Sequence, residues 1–248
     1  MEIEIRRQGP GANAESDIAG EMTLLSDVLA HPERGVLRLW RTSPCLVVTP
    51  LLAHRAEFAA AAEASAGRGW PVVVRRTGGG PVPQTAGTLN VSLAYAIQRE
   101  QTPSIDAAFR EFADAILKTL ERCGVKGAVG EIEGSCCPGR YDIAIGGKKI
   151  IGIAQRRRQG QKEGQLLSAV LVHAMVWVDG MLDPAIDLLE RFLEEAGTPT
   201  RFRRAVMGTL QGISGISADA FAAALRQAFT AGDLIGLHRR SSALETDG

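Results

Sequence analysis

The stretch YDIAIGGKKIIGIAQ, which runs from Tyr141 to Gln155, decides the fold class of this chain. Tyr141 to Ile145 is typical of a strand because apolar and β-branched residues dominate it. Gly146-Gly147 predicts a two-residue hairpin turn, and Lys149 to Gln155 predicts the returning strand. Because strands joined by so short a turn run antiparallel, the stretch predicts an antiparallel hairpin within a sheet.

Hydrophobic periodicity predicts further elements on both sides of this hairpin. Strands outnumber helices, and several are linked by short turns, so the fold class is α+β: a largely antiparallel or mixed β-sheet core flanked by helices. One domain is expected over residues 1–240, with a possible small C-terminal lobe from residue 198 and a disordered tail at residues 241–248. The predicted helices are Asp17–Ala30, Ala53–Ala66, Ile105–Arg122, Asp183–Ala196 and Ala218–Phe229; the predicted strands are Val36–Trp40, Cys45–Thr49, Val72–Val74, Leu89–Ile97 and Leu166–Val178, with a second turn over Gln159–Gly164.

The composition is that of an ordinary globular protein. Apolar residues make up 45% of the 248 residues and charged residues 23%, which excludes a disordered chain, a collagen-like repeat and a disulfide-packed mini-domain. Lys plus Arg and Asp plus Glu both total 28, so no net charge directs the chain to nucleic acid or to an anionic membrane. No apolar stretch is long enough to cross a bilayer, and the first residues lack the apolar core of a signal peptide. The cysteines show no CxxC spacing, so we expect a reduced, cytoplasmic protein.

A glycine-rich loop follows the predicted strand Val72–Val74. Gly78, Gly79 and Gly80 leave backbone N–H groups free to approach an anion or an extended ligand. The spacing matches neither the P-loop nor the dinucleotide-binding fingerprint, and a flexible turn is the alternative interpretation. The preceding Arg75 and Arg76 favour a binding role, because guanidinium groups suit phosphate and carboxylate recognition.

A second loop, Gly134 to Arg140, carries two adjacent cysteines. A cysteine beside basic residues in a loop is a candidate nucleophile, whereas buried free cysteines usually act as small apolar residues. The residues alone do not choose between Cys136 and Cys137.

Two lysines follow the hairpin turn, and strand geometry points Lys148 and Lys149 to opposite faces, so at most one of them reaches a given site. The four histidines form no metal-binding pattern, so no metal site is predicted. His173 lies in the middle of a predicted strand and is interpreted as a packed or surface imidazole.

These motifs resemble a known family. RRTGGGPV at Arg75–Val82, followed by GTLNVS at Gly87–Ser92, resembles the RRxxGGGxV…GxLNxS signature of lipoate–protein ligases and octanoyltransferases. The run Tyr141–Gln155 is similar to that family's second block, D-[LI]…GKKIxGxAQ. The resemblance extends over residues 20–235 and implies a biotin/lipoate protein ligase-like catalytic domain.

Within that family, the chain most resembles the cysteine-dependent octanoyl amidotransferases, in which a Cys-Pro-Gly turn precedes Tyr-Asp. ATP-dependent ligases usually carry His-Asp where this chain has Gln84-Thr85. The resemblance implies that Cys137 is the nucleophile and that Lys149 is the active-site lysine, which would favour the thiolate and bind the acyl carbonyl oxygen. The substrate-binding residues that it implies are Arg75, Arg76, Gly78, Gly79, Gly80, Asn90, Asp142 and Gly152.

The implied activity is transfer of an octanoyl or lipoyl group, through a cysteine thioester, to a lysine of lipoyl domains. The donor would be an acyl carrier protein or the glycine cleavage H protein, and no cofactor, nucleic acid or membrane is expected. Two alternatives remain: a lipoate–protein ligase that uses ATP and Mg, and a non-catalytic binding module. The apolar walls of an acyl tunnel are expected from Val72, Val74, Leu89, Val91 and Ile151, and an acidic partner is expected to meet Arg140, Lys148, Arg156, Arg157 and Arg158, unless these only form a solvated hairpin face.

Overall fold

The computed structural model describes residues 2–230 and arranges them as two sheets with helices packed against them. The strands are β1 (Glu2–Gln8), β2 (Arg34–Trp40), β3 (Cys45–Val48), β4 (Val72–Val74), β5 (Val82–Gln84), β6 (Thr88–Gln98), β7 (Ala128–Val129), β8 (Ile143–Ile145), β9 (Lys148–Lys162) and β10 (Gln165–Trp177). The helices are α1 (Ala14–Ala30), α2 (Pro50–Ala53), α3 (Phe58–Gly67), α4 (Ile105–Arg122), α5 (Leu182–Glu195), α6 (Leu210–Ser214) and α7 (Ala218–Thr230).

The larger sheet has seven strands in the order β1-β2-β6-β10-β9-β8-β7, and the smaller has three in the order β4-β3-β5. Only β1 with β2 and β3 with β4 pair in parallel among the described strands; the remaining pairs are antiparallel. The predicted α+β class with a mixed, largely antiparallel sheet is confirmed.

The hairpin of β8 and β9 forms at Gly146-Gly147, as the sequence predicted. Gly146 and Gly147 both adopt positive φ angles, 59° and 76°, which a two-residue turn between twisted strands requires. The turn pairs Ile145 with Lys148 and sets the register of β9. Lys148 is exposed and Lys149 is buried, so the two side chains point to opposite faces, as their alternation predicted.

Several predicted boundaries were wrong. The turn expected over Gln159–Gly164 is instead a continuation of β9 to Lys162, and the chain reverses at Glu163 and Gly164, which both have positive φ angles. The sequence analysis also missed β1, β5 and β7. Parallel pairing with β2 holds β1 in place, and no local turn signals that pairing.

The two faces of the larger sheet are covered differently. One face packs against α4 and α7 through a core that includes Phe112, Ile116 and Phe221. On the other face, α1 covers one part, through Leu25 and Val28, and the smaller sheet with α5 covers another. The site described below lies between these two covers.

The C-terminal part of the described chain packs into the same cores. Met207 joins the core beneath the smaller sheet, and Leu210, Phe221 and Leu225 join the core beneath α4. The domain boundaries stay a prediction, and the tail predicted at residues 241–248 lies outside the described residues. Among residues 2–230, no helix combines the length and the apolar character that a membrane span requires.

Candidate active site

A cavity of about 500 Å³ opens between α1, the larger sheet and the smaller sheet. Two rows of paired strand residues form its floor. One row joins Trp40, Asn90, Met175 and Gly152 across β2, β6, β10 and β9. The next row brings His173 beside Ala154, two residues further along β10 and β9. Successive side chains alternate between faces, so residues two apart share this floor.

The walls are largely apolar. Ile18 of α1, Trp40 of β2, Val47 of β3 and Val82 of β5 line the cavity together with Met175. An extended aliphatic chain suits such a lining, because it needs no hydrogen-bond partners there.

Cys137 lies at this cavity with its backbone in an unusual conformation. Its φ angle is +50°, a left-handed conformation that costs a residue with a Cβ atom of the order of 1 kcal/mol. Its sulfur lies 2.7 Å from the backbone nitrogen of Gly80 and 3.9 Å from Nη2 of Arg75. The strained turn thus directs the Cys137 side chain toward the glycine-rich loop.

The other cysteine of the pair has a different environment. Cys136 is fully buried in the core beneath the smaller sheet, and burial raises the pKa of its thiol to about 12. Cys136 is therefore a protonated, inaccessible thiol at neutral pH. Cys137, unlike Cys136, lines the cavity.

Lys149 supports the cysteine loop from below. Its side chain is 1% exposed, and its Nζ donates to the carbonyl oxygens of Cys136 and Cys137 at 2.8 and 2.6 Å. Nζ also lies 2.7 Å from Oδ2 of Asp142. An ammonium group has three hydrogens, and these three oxygens account for all of them.

Asp142 and Gly152 complete the surroundings of Lys149. Burial raises the pKa of the Asp142 carboxyl above its usual range, and the Lys149 ammonium opposes that shift. Oδ2 of Asp142 also accepts a hydrogen bond of 2.8 Å from the backbone nitrogen of Gly139, which closes the turn after the cysteines. A Cβ at Gly152 would lie 3.6 Å from Nζ of Lys149, so the β9 backbone passes directly beside the ammonium.

The glycine-rich loop covers the cysteine. A Cβ at Gly80 would lie 3.4 Å from the Cα of Cys137, and Gly78 and Gly79 line the cavity. Nη2 of Arg75 donates to the carbonyl oxygen of Gly80 at 3.0 Å and so braces the loop. Arg76, also expected in the site, lies in a separate surface depression with Val74 and Arg156.

Asn90 lines the cavity as half of a reciprocal amide pair. Its Nδ2 donates to Oε1 of Gln84 at 3.0 Å, and Nε2 of Gln84 donates back to Oδ1 of Asn90 at 2.9 Å. Gln84 also lines the cavity.

A buried acid–imidazole pair lies in the second row, and its relation to the site was not predicted from the sequence. Oε1 of Glu21 lies 3.0 Å from Nδ1 of His173 and accepts a hydrogen bond of 2.7 Å from Oγ of Ser92. Although burial by itself raises the pKa of the Glu21 carboxyl, His173 and Ser92 bring it below its usual value. His173 is a packed imidazole, as interpreted, and its Nε2 has no partner among the described residues. A residue separation of 152 positions hides this pair from any local pattern.

An aromatic stack flanks the cavity near α4. The rings of Phe109 and Tyr141 lie 4.8 Å apart and nearly parallel, at 4°. Nη1 of Arg140 lies 3.8 Å from Oδ2 of Asp106, and both side chains are exposed. These four residues line the cavity on the side of the cysteine loop.

The predicted tunnel walls were wrong. Leu89, Val91 and Ile151 lie in the core on the opposite face of the larger sheet, and Val74 is 40% exposed. Val72 packs with the smaller sheet rather than lining the cavity. Strand alternation was the available signal: Asn90 was predicted to bind substrate, so its neighbours Leu89 and Val91 point away from it.

Three residues of the expected basic surface form hydrogen bonds within the chain. Arg156 donates to the carbonyl oxygen of Arg76 at 3.0 Å, and Arg158 donates to Oγ of Ser26 on α1 at 2.7 Å. Arg157 is half-buried and donates to Oε1 of Gln155 at 3.1 Å.

No group of three or more potential metal ligands occurs within residues 2–230.

Comparison with known proteins identifies relatives of this site and fold. An uncharacterized protein of Cupriavidus necator is 34% identical over 187 residues, which cover 72% of this chain and 73% of that protein. An octanoyl-[GcvH]:protein N-octanoyltransferase of Geobacillus kaustophilus is 31% identical over 78% of this chain. The chain spans 66% of the length of that relative and 46% of the same-named Staphylococcus aureus protein, to which it is 36% identical over 54% of its own length.

Solved structures share the fold. A lipoate-protein ligase A bound with ATP superimposes with a TM-score of 0.71 at 21% identity, covering 93% of this chain and 85% of that one. A T. acidophilum protein with bound lipoic acid gives a TM-score of 0.63 at 22% identity, with the same coverage of the two chains. The lipoyl protein ligase A/B catalytic domain matches residues 13–230. The chain therefore belongs to the lipoyl protein ligase A/B catalytic domain family.

Proposed function

We propose that this protein is an acyltransferase that moves an octanoyl group to a lysine of lipoyl-domain proteins through a thioester on Cys137. One observation carries the proposal: the Cys137 sulfur borders an apolar cavity of about 500 Å³ and contacts a backbone N–H group. A nucleophilic sulfur beside a channel for an aliphatic chain suits covalent acyl transfer.

The first half-reaction acylates the cysteine. The Cys137 thiolate attacks the carbonyl carbon of the octanoyl group on the donor, which forms a C–S bond and a tetrahedral oxyanion. Collapse of this intermediate breaks the bond to the donor's leaving group, which leaves as an amine after taking up a proton or as a carrier thiol. The octanoyl chain lies along Trp40 and Met175, where apolar burial favours it.

The second half-reaction regenerates the thiolate. The neutral amine of the acceptor lysine attacks the thioester carbonyl, a C–N bond forms and the C–S bond breaks. The proton that the amine loses goes to solvent at the open side of the cavity. The product is an octanoyl amide on the acceptor.

The partners are proposed from the names of relatives and from this chemistry. The relatives' names specify the octanoylated glycine cleavage H protein as donor, and an octanoyl carrier protein is a second donor of the same acyl chemistry. Lipoyl domains are the acceptors, and lipoyl domains that carry an octanoyl amide are the products. The reaction needs no cofactor, and because its nucleophile is a free thiol, a reducing compartment such as the cytoplasm preserves it.

Intact-protein mass spectrometry tests the proposal directly. The wild-type protein is incubated with the octanoylated glycine cleavage H protein, or with octanoyl carrier protein, in the absence of ATP. Cys137→Ala is the test variant, and Cys136→Ala is the matched control because that thiol is buried. We expect a hydroxylamine-labile octanoyl adduct on the wild type and on Cys136→Ala, none on Cys137→Ala, and transfer of the adduct to an added lipoyl domain.

Two other results would contradict the proposal. Acylation that requires ATP and survives Cys137→Ala would identify a ligase. Tight binding of the octanoylated protein without any adduct would identify a binding module.

A further inference from the structure

Lys149 has no hydrogen left for a substrate. Its three acceptors, the carbonyl oxygens of Cys136 and Cys137 and the Asp142 carboxylate, lie at 2.6 to 2.8 Å around a side chain that is 1% exposed. To donate a hydrogen bond to the acyl oxygen, Lys149 would have to break one of these three contacts, and the oxygen that it released would be buried without a hydrogen-bond donor.

The groups that do contact the Cys137 sulfur come from the glycine-rich loop. The backbone N–H of Gly80 points at Sγ from 2.7 Å, and the Arg75 guanidinium lies 3.9 Å from it. The backbone nitrogen of Arg75 donates to the carbonyl oxygen of Val48 at 2.9 Å, which ties the start of the loop to the smaller sheet.

Arg75 also has donor capacity to spare. Nη2 binds the carbonyl oxygen of Gly80, but Nε is buried without a partner among the described residues. The Arg75 side chain lines the cavity, and the contacts that support the fold do not use all of its N–H donors.

We propose that Arg75, together with the Gly80 N–H, stabilises the negative charge on the Cys137 sulfur. The proposal rests on the proposed function, in which that charge is present before the attack on the donor and returns when the thioester breaks. A fixed cation and an oriented N–H group beside the sulfur lower the energy of both states.

The rate of cysteine alkylation tests Arg75 without any acyl donor. Iodoacetamide modification of Cys137 is followed by peptide-resolved mass spectrometry from pH 5 to 10, since only the thiolate reacts. We expect Arg75→Gln to react about tenfold more slowly than wild type near neutral pH and to reach the same rate at high pH, as loss of one charge about 4 Å away predicts. Arg75→Lys should restore most of the rate.

Arg76→Gln is the matched control, because it removes the same charge from the adjacent residue outside the cavity. Cys45 reports on folding in each variant, since it is fully buried and its modification reveals an opened core. A profile for Arg75→Gln that coincides with wild type, or one that Arg76→Gln reproduces, overturns the proposal. The alkylation experiment uses no acyl donor, so its result does not depend on whether the protein transfers acyl groups. The proposed function and the role of Arg75 can therefore be refuted separately.

Discussion

The chain at Gly79 passes so close to Cys137 that a Cβ atom at position 79 would lie 2.8 Å from the cysteine sulfur and 2.5 Å from Nη2 of Arg75. The φ angle of Gly79 is +110°, so the approach also depends on a backbone conformation that glycine favours. Covering the Cys137 sulfur this tightly requires a residue without a side chain.

Gly79→Ala should therefore lower the rate of Cys137 acylation by at least about tenfold, since the added methyl displaces the sulfur or the guanidinium. Gly69→Ala is the control: its φ angle of +82° imposes similar backbone strain, but no atom lies within 4 Å of the added Cβ. Acylation is measured by intact mass and folding by thermal unfolding. Equal acylation rates in the two variants would show that the close approach is unimportant.

Replacing Lys149 should cost stability as well as activity. Lys149→Met leaves two carbonyl oxygens and the Asp142 carboxylate without their partner, and breaking such a buried pair costs about 3–5 kcal/mol. Urea unfolding measures the loss. The double variant Lys149→Met/Asp142→Asn should lose less unfolding free energy than the sum of the losses in the two single variants, because both substitutions break the same pair. Strict additivity would refute the coupling.

Because Glu21 is buried in a pair with His173, the stability of the folded protein should decrease at acidic pH. The pKa of Glu21 lies below its ordinary value in the folded protein, so the unfolded chain binds the proton more readily. The stabilisation from this carboxylate is complete above the unfolded pKa and disappears as the pH falls through the lower, folded pKa.

Melting temperatures measured from pH 7 down to pH 3 should accordingly decline below pH 4.5, the ordinary pKa of a glutamate. Glu21→Gln should be less stable at pH 7 by about 1–2 kcal/mol and should lose less stability in acid than wild type. A parallel decline in both proteins would assign the acid sensitivity to other carboxylates.

The reversal between β9 and β10 offers a stabilising substitution. Glu163 has a φ angle of +50°, which disfavours a residue with a Cβ atom. Glu163→Gly should raise the free energy of unfolding by about 0.5 kcal/mol, and Gly164→Ala, at a φ angle of +83°, should lower it. Chemical denaturation of both variants measures these effects; a destabilised Glu163→Gly would mean that its side-chain contacts outweigh the strain.

The parts of the fold that the sequence predicted correctly depend on local signals. The two glycines of the central turn set the register that places Lys149 on the buried face of β9, and α4 spans Ile105–Arg122, as its apolar periodicity predicted. Both features involve residues within a few positions of one another. Propensity and spacing therefore suffice to predict them.

The parts that were missed depend on contacts between distant segments. β1 is fixed by pairing with β2 and by ion pairs of Arg6 with Asp27 and of Arg34 with Glu4, at 2.7 and 2.8 Å. Likewise the cavity floor arises where β2, β6, β10 and β9 align in register. A single sequence contains no signal for such register.

The position of the cavity floor on the β9–β10 pair has a consequence for acyl selectivity. Gly152 beside Met175 and Ala154 beside His173 are consecutive same-face pairs, so the two pairs are separated by about 7 Å of strand rise. Hydrogen-bonded strands do not stretch as loops do. Under the proposed function, a change toward shorter or longer acyl chains would thus proceed by changes in side-chain volume along the floor, whereas insertions in the surrounding loops would leave the preferred acyl length unchanged.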